Sequence, residues 1–89
     1  MNSELYQDLA GQFYSTDHNY ADQLFDGLVS EAHEVYDALN EEQIIDELGD
    51  VLWYVTTIAN SLEVSLEELM LKNINKLERR KLSGKITSH

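Results

Sequence analysis

The chain has 89 residues, 43% of them hydrophobic, no cysteine, no proline and a formal charge of −11. That length predicts one small domain over residues 1–89, with residues 83–89 as a frayed tail. Lack of cysteine excludes disulfide and thiolate chemistry. No apolar run reaches the roughly 18 residues of a spanning helix. Met1-Asn2-Ser3-Glu4 also lacks the basic start and apolar segment of a secretion signal. All six basic residues lie between 72 and 85, so the first 71 residues hold no lysine or arginine. Such a surface repels nucleic-acid phosphates and attracts divalent cations. The expectation is a soluble cytoplasmic protein with neither a nucleic-acid nor a membrane partner.

In chain order, Leu5, Leu9 and Phe13 predict a first amphipathic helix over 4–14. Residues 15–19 are turn and cap types, with Asp17 or Asn19 as candidate caps. Ala21, Leu24, Phe25, Leu28, Ala32, Val35 and Leu39 predict a second helix over 20–39. Asn40 with Gln43 reads as a capping box that opens a third helix over 41–62. The stripe of that helix is Ile44, Leu48, Val51, Leu52, Val55, Ile58 and Leu62. Ser65 with Glu68 is a second box, opening a fourth helix over 66–81 with Leu66, Leu69, Met70, Ile74 and Leu77. Gly84 ends it. The predicted fold is all-α, four-helix bundle-like, with short connections. Residues 51–55 are apolar or aromatic on all sides, which buries the third helix on more than one face. A homo-oligomer is therefore expected, most simply a two-fold dimer.

Three acidic pairs stand at i, i+3: Glu31/Glu34, Glu34/Asp37 and Glu47/Asp50. The acid content alone yields about that many, so placement carries the argument. Glu31 lies beside the apolar stripe of the second helix, with Glu34 one turn on. Asp37 shares the polar face with Asp26, Ser30 and His33. Glu47 and Asp50 border the stripe of the third helix. These consecutive helices should be antiparallel neighbours, so the two pairs can face each other across the seam. Packed carboxylates repel unless a hard cation neutralises them, and an all-oxygen set suits Mg²⁺ or Mn²⁺. The alternative is a solvated acidic surface. A di-iron Glu-x-x-His motif is absent, and so is the His or Cys spacing of zinc.

Asn73, Lys76 and Arg80 share one face of the fourth helix and can hold a polyphosphate, or simply complement the helix dipole. Tyr54, one turn past Asp50, is a candidate for contact with a base. Trp53 reads better as core or interface.

The ordered set Ser30-Glu31-Ala32-His33-Glu34, then Glu47-Leu48-Gly49-Asp50-Val51-Leu52-Trp53-Tyr54, resembles the MazG-like nucleotide pyrophosphohydrolases of the all-α NTP pyrophosphatase superfamily. The likeness continues through Ser65-Leu66-Glu67-Glu68 and Asn73 to Arg80, and reaches back to Tyr6-Gln7-Asp8-Leu9-Ala10. It implies a homodimer or tetramer that binds Mg²⁺, with Mn²⁺ as a substitute, and cleaves a nucleoside triphosphate between its α and β phosphates. Glu31, Glu34, Glu47 and Asp50 would be the catalytic metal ligands. Tyr54, Asn73, Lys76 and Arg80 would bind substrate. The family's Glu-Glu-x-x-Glu has Ser30 in its first place here, which would thin the metal shell. The rivals are a phosphoribosyl-ATP pyrophosphohydrolase-like enzyme and a non-catalytic helical dimerisation or regulatory module.

Overall fold

A computed structural model describes residues 1–13 and 20–84. The expected turn at 15–19, with Asp17, His18 and Asn19, and the tail from residue 85 lie outside the described residues. The chain forms α1 (Ser3–Gly11), α2 (Tyr20–Asp37), α3 (Glu41–Ser61) and α4 (Leu66–Leu82), with no strand among the described residues.

Local chemistry sets most of the boundaries. Asn40 adopts an extended backbone at φ −154° and its side chain accepts from the Gln43 amide at 2.9 Å. The Gln43 side chain accepts in return from the Leu39 N–H at 2.9 Å. The extended cap stops α2 at Asp37 rather than at the expected Leu39. Ser65 caps α4 through the Glu68 N–H at 3.0 Å. Gly84, at φ +72°, ends it. The end of α3 differs from expectation in kind. Val64 N–H returns to Ala59 C=O at 2.9 Å and Glu63 N–H to Asn60 C=O at 3.1 Å. This is a Schellman turn, and its left-handed position holds Glu63 at φ +58° instead of glycine.

α3 is the common support. α2 packs along it, while α1 and α4 pack on it and on each other. The centre is small: Leu24, Thr56, Thr57, Ala59, Ala10 and Leu66 are buried. The two threonine hydroxyls donate back to Leu52 C=O and Trp53 C=O at 2.7 and 2.8 Å, so neither is left unpaired.

α1 turns a different face inward from the one its periodicity predicts. Ala10 is 3% exposed, whereas Leu5 is 45% and Phe13 76% exposed. Gln7 explains the rotation. Its amide donates to Asn60 Oδ1 and to Val64 C=O, both at 2.8 Å, and its carbonyl oxygen accepts from Leu66 N–H at 2.9 Å. One polar side chain thus ties α1 to the α3–α4 turn. The expected stripes of α3 and α4 are only partly covered: Leu48, Leu52, Met70 and Ile74 are about half exposed.

Candidate metal centre

Glu47 and Asp50 lie three residues apart on α3, on the side that meets α2. Glu31 comes from the facing turn of α2. The three carboxylates each bring an oxygen within 4.8 Å of the others; Glu31 and Glu47 are half-buried and Asp50 is exposed. Glu31 and Glu47 face each other across the seam between the helices. Partial burial, then the charges of Asp50 and Glu47, hold the Glu31 carboxyl above the ordinary carboxylate range.

Glu34 is exposed one turn further along α2 and does not join the converging three. Its charge still adds to the pressure on Glu31. Ser30 and His33 are exposed, in agreement with their place on the polar face.

Beside the carboxylates lies a recess of about 250 Å³ lined by Glu31, Asp50, Trp53 and Tyr54. Tyr54 stands where its spacing from Asp50 puts it. Trp53, read from sequence as core or interface, shares the same recess; its place three residues after Asp50 is the signal that points there. Tyr6 of α1 also senses the centre. Burial, and then the Asp50 charge, raise its phenol above the usual value. Tyr6 opens the N-terminal stretch of the resemblance, but its approach to the centre is not legible there, because the rotation of α1 depends on Gln7.

The α4 residues occupy other ground. Asn73 and Lys76 line a groove of about 780 Å³ with Leu52, Val55, Met70 and Arg79. Arg79, rather than Arg80, borders that groove. Leu52 is about 200° round α3 from Asp50, so one chain holds its carboxylates and the α4 cations on different sides.

The donor set fits a hard divalent cation. Its atoms are all oxygen, and no lysine or arginine lines the recess.

Residues 20–83 match the MazG nucleotide pyrophosphohydrolase domain. Over 47 residues, 53% of this chain, there is 47% identity to the Gene 37 protein of Mycobacterium phage L5, and the match spans 41% of that protein's length. No solved structure matches.

Proposed function

The chain belongs to the MazG nucleotide pyrophosphohydrolase family, and from that premise we propose that it is a Mg²⁺-dependent enzyme that cleaves a nucleoside triphosphate to a monophosphate and pyrophosphate. The convergence of Glu31, Glu47 and Asp50 from two helices is the observation that carries this reading.

Glu31, Glu47 and Asp50 hold the cation in this reading, and Glu34 completes the set from the next turn of α2. Bound there, Mg²⁺ supplies charge neutralisation for the phosphates and lowers the pKa of the attacking water. A glutamate of the set accepts the proton that the water loses. Trp53 and Tyr54 offer the adjoining aromatic wall to the nucleoside, half-buried and edge-to-face at 5.0 Å. Glu31 binds its proton more tightly than an ordinary carboxylate, so proton and cation compete for it.

Asn73, Lys76 and Arg80 are the phosphate ligands of the same reading. They do not reach the carboxylates within one chain, so this role needs the α4 of a second copy. The apolar surface supports such a pairing. Leu48, Leu52, Met70 and Ile74 remain about half exposed in the single chain. The groove over Leu52, Val55 and Met70 is the surface a homodimer would cover. Sedimentation of the free protein as a single 10-kDa species at micromolar concentration would remove this part of the proposal.

No helix of the described residues is long and apolar enough to cross a membrane. The reading is tested by incubating the protein with Mg²⁺ and each of the common ribo- and deoxyribonucleoside triphosphates, and measuring pyrophosphate. Release of orthophosphate alone would contradict it. Turnover confined to phosphoribosyl-ATP would instead favour the related pyrophosphohydrolase.

A further inference from the structure

Gly27 lies in the interior of α2, one turn before Glu31. Glycine there costs about 1 kcal/mol relative to alanine, and α2 runs through that position as unbroken α-helix. The reason is in the neighbouring helix. A Cβ at position 27 would stand 2.7 Å from the Tyr54 hydroxyl oxygen and would overlap the ring carbons Cε1 and Cζ. The ring occupies the space a side chain would take.

Tyr54 has a second neighbour. The Trp53 ring meets it edge-on, with centroids 5.0 Å apart and planes at 85°. The Trp53 indole N–H donates to Ala10 C=O of α1 at 3.3 Å. The Tyr54 ring thus meets both the bare backbone of α2 and an indole anchored to α1. This ring and indole are two of the four residues that line the carboxylate recess.

We propose that Gly27 is a positioning residue: by leaving room for Tyr54 against α2, it sets the aromatic wall that seats the nucleoside beside the carboxylates. The inference rests on the nucleotide reading above. An alanine at 27 forces the Tyr54 ring from its place, and none of the three nearest atoms its Cβ would meet belongs to Glu31, Glu47 or Asp50.

The test is a cycle of G27A, Y54A and the double variant. It uses the common ribo- and deoxyribonucleoside triphosphate that the wild-type protein cleaves fastest. G27A should raise KM roughly 10-fold with kcat within about 2-fold. Mn²⁺ affinity should not change, and the emission of the sole tryptophan, Trp53, should shift. In the Y54A background the same substitution should leave KM alone and raise the melting temperature, since only the helix preference remains. If G27A alone fails to fold, equal KM values for Y54A and the double variant carry the test. A KM unchanged by G27A, or raised equally with and without Tyr54, overturns the proposal. Wild-type protein that turns over no triphosphate overturns the nucleotide reading itself, a result distinct from a G27A that behaves as wild type.

Discussion

Glu31 on α2 and Glu47 on α3 bring carboxylate oxygens within 4.8 Å of each other across the seam between the helices. Partly buried and crowded by the charges of Asp50 and Glu47, Glu31 holds a proton more tightly than an ordinary carboxylate, and a cation competes with that proton. Mn²⁺ or Mg²⁺ binding should therefore release a proton at mildly acidic pH, and affinity should fall as pH drops through the raised Glu31 value. The metal-free protein carries the opposite dependence. A carboxyl whose folded pKa is raised contributes stability fully present below its unfolded pKa, and that contribution is lost as pH rises through the folded value. Calorimetric titration in buffers of different ionisation enthalpy measures the proton, and melting curves with and without Mn²⁺ measure the stability. Affinity independent of pH between 4 and 7 would contradict the raised proton affinity of Glu31.

Neutral isosteres separate repulsion from ligation. Glu47→Gln and Asp50→Asn should each raise the melting temperature of the metal-free protein by roughly 2–4 °C. Each should also lower Mn²⁺ affinity by more than ~100-fold, beyond the ~10–100-fold typical of residues that only support a ligand. Helicity by circular dichroism should stay unchanged. Glu34→Gln should have a smaller effect on affinity, because Glu34 lies outside the converging three.

Much of this arrangement is legible in the sequence, and the part that is not has identifiable causes. Caps at Asn40 and Ser65 are read correctly because a side chain and the amide three residues on decide them. The pairing of Glu31 with Glu47 and Asp50 follows from helix periodicity and a short connection. The rotation of α1 escapes such reading, since the apolar Leu5 and Phe13 lose to the hydrogen bonds of Gln7. The role of Gly27 escapes it too, because only the approach of Tyr54 reveals why a helix should hold a glycine there.

Gln7 should be worth more than its polarity suggests. Its side chain makes three hydrogen bonds, to Asn60, Val64 and Leu66, at about 0.5–1.5 kcal/mol net each. Gln7→Ala should cost about 2–3 kcal/mol in denaturant unfolding and expose the α3–α4 turn to amide exchange. A loss below about 1 kcal/mol would mean that α1 is held elsewhere.

Glu63 occupies the left-handed position of the turn that ends α3, at φ +58°. A side chain there costs about 1–2 kcal/mol, partly offset by the greater unfolded freedom of glycine. Glu63→Gly should stabilise the protein by about 0.5–1 kcal/mol in chemical denaturation. Metal affinity should not change, because the turn lies at the far end of α3 from Glu47.

The most direct measurement is pyrophosphate release from a panel of nucleoside triphosphates, with and without Mg²⁺, by wild-type protein and by Asp50→Asn. Pyrophosphate and monophosphate are expected in equal amounts from at least one triphosphate, only with the metal, with a loss of more than ~100-fold in the variant. Metal-independent turnover, or full activity in Asp50→Asn, would contradict the proposed function.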